Sequence, residues 1–256
     1  MTNSRIPGET HSVRQLLPDD VETTVAEQLA GLDFESAAYS NRPYLILNFA
    51  TTLDGRAAIE GKSGPIGSAT DAEMLHRLRT RVDAVMIGAG TMRAERYGRI
   101  VSNPHLRAYR ERTGLAHDPL AVIVSNRFEL PWDARLFTNG GGRVVIFTAS
   151  EQEPPETATP VKIVRHPDGV DLDRALEWLR EERGIRSVLC EGGPTLHGRL
   201  REARLTDELF LTFAPKIAGG EGPRILEGAL PDIDQVELTW LLESEGELFA
   251  RYRGMA

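Results

Sequence analysis

Short β-branched apolar runs recur along this chain with amphipathic, helix-length spacers between them, and that alternation limits its possible folds more than any other feature. Residues 44–49, 82–87, 120–124, 144–147, 185–190 and 209–213 read as buried strands, with a weaker one at 161–164. Thr70-Asp71-Ala72-Glu73 has the spacing of a capping box, which predicts a helix from Thr70 burying Met74, Leu75 and Leu78. Leu172, Ala175, Leu176 and Leu179 form a second helical stripe closed by Gly184, and residues 196–203 a short third helix. The runs 236–242 and 247–252 flank Glu245-Gly246 and read as an antiparallel hairpin. Strands alternating with helices predict an α/β fold with a mainly parallel sheet covered on both faces.

Residues 1–42 read as an N-terminal extension, with Asp19 or Asp20 capping a short helix that carries Val21, Val25, Ala26 and Leu29. One domain, residues 43–256, then follows. Its 41% hydrophobic and 27% charged content is that of an ordinary globular chain. A net charge of -8 argues against a nucleic-acid surface, yet is compatible with a local basic pocket for a small phosphate. One cysteine, Cys190, permits no internal disulfide and is expected in the core. With no apolar stretch at the start resembling a signal peptide and no run of ~18 apolar residues, the cytoplasm is the expected compartment.

The turns carry the chemistry. Glu191-Gly192-Gly193-Pro194-Thr195 follows a buried strand, and Pro194 suits a first helical position. The free N–H groups of such a helix start attract anions at the carboxyl ends of the strands. Glu191, at the strand end, is expected to face a ligand or a basic residue, because a buried lone carboxylate is costly. Gly88-Ala89-Gly90-Thr91 begins like a dinucleotide turn, but Arg93 replaces the third glycine. Between Gly55 and Gly61-Lys62-Ser63 lie five residues rather than the four of a P-loop, which disfavours an ATP site. Asp54 reads as a turn residue bonding its own backbone. Of Arg77, Arg79 and Arg81, Arg79 is the one expected to point towards the glycine turns. The six histidines show no metal-ligand spacing and no nucleophile turn is present, so no metal is expected. Chemistry carried by a bound cofactor is then the economical reading.

Taken in order, several segments resemble one family. These are Asn48, Thr52-Leu53-Asp54-Gly55-Arg56, Ser63-x-Pro65-Ile66, Leu78-Arg79 with Val82-Asp83-Ala84, and Gly88-x-Gly90-Thr91. Ser125, Glu191-Gly192-Gly193-Pro194-Thr195-Leu196, Ala214-Pro215-Lys216 and Gly219-Gly220 complete the set. Over residues 43–253 the chain is similar to the reductase domain of the bifunctional riboflavin-biosynthesis deaminase-reductases and to the stand-alone diaminopyrimidine-ribosyl phosphate reductases. The resemblance implies a dihydrofolate-reductase-like fold, NADPH as hydride donor and a homodimer. It also implies a ribosylamino-pyrimidine 5′-phosphate reduced at C1′ to its ribitylamino form. By position it implies that Ala50, Pro65, Thr91, Ser125 and residues 193–199 (Gly193, Pro194, Thr195 and Leu196 among them) contact the cofactor. Ser63, Arg79 and Glu191 would contact the substrate, with Arg79 on its phosphate. Asn48 would face the reaction centre, and Glu95 or a water held by Glu191 would act as acid. The deaminase half and its zinc ligands are absent from residues 1–42, so a deaminase is expected as a separate protein.

One segment departs from the family. Where it often carries Asp-Asp-Pro-x-Leu-Thr-x-Arg, with a substrate arginine at the end, this chain has Glu95-Arg96-Tyr97-Gly98-Arg99-Ile100. That change keeps open a reductase of another heterocycle, such as a pterin or a specialised metabolite. A non-catalytic NADPH-binding regulator is the alternative of another class.

Overall fold

The structure, a computed structural model, describes residues 10–254; residues 1–9 of the expected extension lie outside them. In chain order the elements begin with β1 (Ser12–Leu17), β2 (Val21–Thr24), α1 (Val25–Ala30), β3 (Tyr44–Thr52), α2 (Ala69–Leu78), β4 (Ala84–Gly88) and α3 (Ala89–Glu95). Then come α4 (Pro104–Arg112), β5 (Leu120–Val124), α5 (Arg135–Thr138), β6 (Val144–Thr148), β7 (Val161–Arg165), α6 (Leu172–Arg183) and β8 (Ser187–Cys190). α7 (Pro194–Glu202), β9 (Glu208–Ala214), β10 (Val236–Ser244) and β11 (Glu247–Gly254) close the chain.

Among the described residues, eleven strands share one sheet, ordered β2-β1-β10-β11-β9-β3-β8-β4-β5-β6-β7. From β9 to β7 every neighbouring pair is parallel. From β2 to β9 the pairs are antiparallel. The α/β fold with a mainly parallel, helix-flanked sheet and a C-terminal hairpin is therefore the one observed. The hairpin turns on Glu245 and Gly246, both at positive φ, as a tight two-residue connection between twisted strands requires.

Side-chain alternation along β3 assigns its two faces. Leu45, Leu47 and Phe49 pack with Leu176 and Leu179 of α6 and Leu200 of α7, while Ile46 packs with Met74 and Leu78 of α2. The stripe of α6 is buried as its spacing predicts; Asp171 caps its start and Gly184, in the left-handed region, its end.

Two local expectations are corrected. The cap of α2 is Ser68, whose Oγ accepts from the N–H groups of Thr70 and Asp71; Thr70 is itself inside the helix and buried. Near the start, residues 21–24 are a strand and the short helix begins at Val25, capped by Thr24 rather than by Asp19 or Asp20. Extended β1 and β2 add to the sheet edge through β10, so Val21 belongs to a strand and only Val25, Ala26 and Leu29 are buried by the helix.

Candidate active site

A cleft of about 780 Å³ opens over the carboxyl ends of β3, β4, β5 and β8, the place where open α/β sheets bind ligands. Asn48 and Ala50, two residues apart and so on one face of β3, line it. Their face looks towards α2, from which Asp71 and Leu75, one turn apart, also reach the cleft.

One wall is the junction of two glycine turns. The Gly88 N–H donates to the Gly192 carbonyl at 2.7 Å, and a Cβ on Gly193 would lie 2.9 Å from Thr91 Oγ1. Only glycine lets the β4–α3 and β8–α7 turns approach this closely. Pro194 takes the first helical position as expected, and Gly193 brings no side chain to cap α7. No side chain caps the helix start, and Thr195, Leu196 and Arg199 line the cleft wall beside it. Ser125, at the end of β5, is buried and lines the same side. The arginines that line the cleft, Arg93, Arg127 and Arg199, come from α3, the β5 end and α7. Arg93 reaches the Glu129 carbonyl after β5, and Arg199 the Val170 carbonyl before α6.

The same β8–α7 turn also carries an acidic group, Glu191. Glu191 is held in a two-pronged grip: Arg79 Nε donates to Oε1 at 2.6 Å and Nη2 to Oε2 at 2.7 Å. The Tyr97 hydroxyl donates to Oε2 at 3.0 Å. Burial alone would lower the Arg79 pKa, but the charge and hydrogen bonds of Glu191 outweigh it and raise the value. Tyr97 is pushed well above its ordinary value by burial and then by Glu191, so it stays a neutral donor. Nη1 of Arg79 donates to the Ile100 carbonyl, and buried Arg110 donates to the carbonyls of Arg79 and Val82. Glu191 therefore faces both a basic residue and the cleft.

Most of the anticipated residues do line this space: Asn48, Ala50, Ser63, Thr91, Glu95, Ser125, Glu191, Gly193, Pro194, Thr195 and Leu196. Two do not. Pro65 stands outside the lining, its carbonyl accepting from Lys216 Nζ at 2.9 Å. Arg79 stands behind Glu191 rather than on the wall, because the carboxylate and the Ile100 carbonyl engage three of its nitrogens. Ser63 and Glu95 meet each other, with the Ser63 N–H and Oγ both donating to Glu95 Oε1, at 2.8 and 2.9 Å. In the departing segment Arg96 pairs with Asp133 and Arg99 with Asp118, both away from the cleft lining. Cys190 is wholly buried and its thiol is driven up to about 12 by burial, which removes it as a nucleophile.

Sequence reasoning missed Tyr97, Leu75 and Asp71 as cleft residues. Asp71 was legible as part of a helix start, and its amphipathic partner Leu75 was assigned wholly to the core. The position of Tyr97 after α3 depends on a helix that the pattern did not show.

The sequence matches the family described as the RibD C-terminal domain over residues 43–243. It is 33% identical over 194 residues to the 2,5-diamino-6-ribosylamino-4(3H)-pyrimidinone 5′-phosphate reductase of Archaeoglobus fulgidus, covering 73% of this chain and 87% of that protein. The protein of the same name from Methanothermobacter thermautotrophicus is 33% identical over 190 residues, 72% of this chain and 83% of the other. Among solved structures, a pyrimidine reductase-like protein of Corynebacterium diphtheriae shares the fold, with a TM-score of 0.71 and 24% identity over 88% of this chain and all of that one.

Proposed function

This chain belongs to the RibD C-terminal domain family, and from that premise we propose that it is an NADPH-dependent reductase of riboflavin biosynthesis. Its substrate in this reading is a ribosylamino-pyrimidine 5′-phosphate, reduced at ribose C1′ to the ribitylamino form, and the enzyme is a cytoplasmic homodimer. The observation that carries the proposal is the polarity of the cleft. An uncapped helix start, arginines from α3, the β5 end and α7, and a carboxylate held by Arg79 and Tyr97 all line or adjoin one cleft.

The residues present fit a dinucleotide. Close glycine packing at Gly88 and Gly193 leaves a smooth backbone wall, and the N–H groups at the start of α7 suit its pyrophosphate. Thr91, Ser125 and the α7 turn would hold it along that wall, with Ala50 at the reacting end. When bound, NADPH supplies the hydride. Asn48 and Ala50 form the floor beneath the acceptor carbon. Glu191, fixed by Arg79 and Tyr97, orients the substrate or a water, and such a fixed geometry is what converts binding into rate. Glu95, whose Oε1 accepts from the Ser63 N–H and Oγ–H, would assist proton transfer in this reading. In balanced form, the ring-opened imine gains hydride at C1′ and a proton at nitrogen.

NADPH oxidation measured with the aminated and the deaminated ribosylamino-pyrimidine phosphate tests the proposal. Turnover of one of them is expected, and no turnover with either sinks the riboflavin assignment. One observation favours a second reading, a reductase of another heterocycle without a phosphate. Arg79 is engaged behind Glu191, and neither Arg96 nor Arg99 lines the cleft. Complementation of a strain lacking the riboflavin reductase separates the two, since a soluble protein that fails to complement supports the second.

A further inference from the structure

Residues 215–235, between β9 and β10, form neither helix nor strand. Loops longer than about 12–15 residues are uncommon in a compact domain unless they hold or cover something. The backbone of this one is attached at two places. First, the Ala218 and Gly219 N–H groups donate to the Asp54 carboxylate at 3.0 and 2.7 Å, and positive φ at Gly219 and Gly220 lets the chain turn around it. Arg56 Nη1 donates to the Gly222 carbonyl and the Ala57 N–H to the Pro223 carbonyl, both at 2.8 Å. The loop then leaves the turn after β3 for α7. There His197 Nδ1 meets the Ile225 carbonyl at 2.7 Å, the Glu227 N–H donates to the Pro194 carbonyl at 3.1 Å, and Arg201 pairs with Asp234 at 2.7 Å.

Gly198 makes the second attachment possible. It sits inside α7, where glycine costs about 1 kcal/mol against alanine. A Cβ there would lie 2.0 Å from the Glu227 carbonyl oxygen, a backbone atom that moves only with the loop. Leu196 and Leu200 of the same helix are buried in the core, so α7 cannot retreat instead. Both attachments border the cleft. Ala57, Ala58 and Ser63 line it after β3, Pro194, Thr195 and Leu196 line it from α7, and Pro223 of the loop lines it as well. We propose that residues 215–235 are a strap that ties the turn after β3 to the first turns of α7, and that Gly198 is the positioning residue that seats it. With the strap seated, a dinucleotide bound at α7 also orders the turn after β3, and a second ligand held by that turn strengthens dinucleotide binding in return. The coupling deepens the reductase reading, on which it rests for the place of the cofactor.

Amide hydrogen exchange of the full chain, resolved by mass spectrometry, tests the tie first without ligand. Gly198→Ala is expected to speed exchange at least about fivefold in peptides covering residues 54–58, at the far attachment, while β5 and β6 stay protected. Alanine strengthens a helix, so loosening of α7 itself does not produce that result. Asp54→Asn, which leaves one carbonyl oxygen for two N–H groups, is expected to give the converse, faster exchange at residues 222–228, and answers the question if Gly198→Ala does not fold. NADP⁺ supplies the second arm. In the parent it is expected to slow exchange at 54–58 as well as at the α7 turn. In Gly198→Ala the effect at 54–58 is lost, and NADP⁺ binds at least about fivefold more weakly. Unchanged exchange at the far attachment in either folded variant, or NADP⁺ protection confined to the α7 turn in the parent, would overturn the inference. NADP⁺ that protects neither region of the parent at millimolar concentration, while the variants show the tie, defeats the cofactor reading and leaves the strap and the role of Gly198 standing.

Discussion

Glu191 shows what a single residue discloses in advance and what it withholds. Its place at a strand end required a partner, and the sequence offered either a ligand or a base. Its distance of 112 residues from Arg79 is closed by the fold alone, so the choice was not legible from local pattern. The pair is buried, with Glu191 only 3% exposed, and removing one partner leaves an uncompensated charge. Arg79→Ala is therefore expected to lose about 3–5 kcal/mol of stability in urea unfolding. Glu191→Gln should lose a similar amount, because it leaves the buried Arg79 cation uncompensated and its single amide oxygen can replace only one of the two carboxylate oxygens that Arg79 engages. A loss below about 1 kcal/mol for Arg79→Ala would mean that Glu191 finds water in its place. His197 gives a second residue-scale expectation. It lies buried on α7, stacks on Phe49 at 4.8 Å and contacts the Ile225 carbonyl at 2.7 Å through Nδ1. Burial, aided by Arg201 and opposed by the Ile225 hydrogen bond, lowers its pKa from 6.5 to about 4. Between those values the unfolded chain binds more protons than the folded one. The stabilisation is complete above pH 6.5 and declines as pH falls to about 4, by roughly 3 kcal/mol in all. Urea unfolding across that range should show a shallower decline for His197→Gln than for the parent, and parallel curves would count against a buried neutral histidine.

Among the elements, those that bury a continuous apolar run or a clean stripe were legible. β3, β5, β6 and α6 fall close to where β-branched content and 3.6-residue spacing put them. The polar helices α3 and α4 were not, since their residues bury only one to three side chains each and give no strong period. The start of α2 shows how a correct pattern can carry a wrong cap. Thr70-x-x-Glu73 has capping-box spacing, but Ser68, two residues earlier, can hold the Thr70 and Asp71 N–H groups and also bond Glu247 on β11. A tertiary partner decided between two acceptable caps. Ser68→Ala is accordingly expected to cost about 1–2 kcal/mol by chemical denaturation, and Ser68→Thr distinctly less.

At the scale of the whole molecule, the edge of the sheet was the least legible part. β1 and β2 are half-exposed and polar, and Val21, four residues before Val25 and eight before Leu29 of α1, reads as part of that helix until its pairing with β1 is seen. The centre was the most legible, because the carboxyl ends of β4 and β8 bring together two turns that the sequence had already marked with glycine. That convergence has a thermodynamic consequence for the proposed cofactor. A dinucleotide lying across those strand ends touches the floor, the α3 turn and the α7 turn together, so its binding energy opposes global unfolding rather than the opening of one loop. NADPH at about 100 times its Kd is expected to add about 2.7 kcal/mol, which for a chain of this size raises Tm by roughly 5–10 °C. The cleft's arginines come from α3, the β5 end and α7, and an additional phosphate would find its cations among them. NADPH should therefore raise Tm more than NADH at equal concentration, and Arg127→Ala should narrow that difference while sparing the shift given by NADH. If Arg127→Ala reduced both shifts alike, the side chain would be supporting the fold of the β5 turn instead of reading the cofactor's extra phosphate.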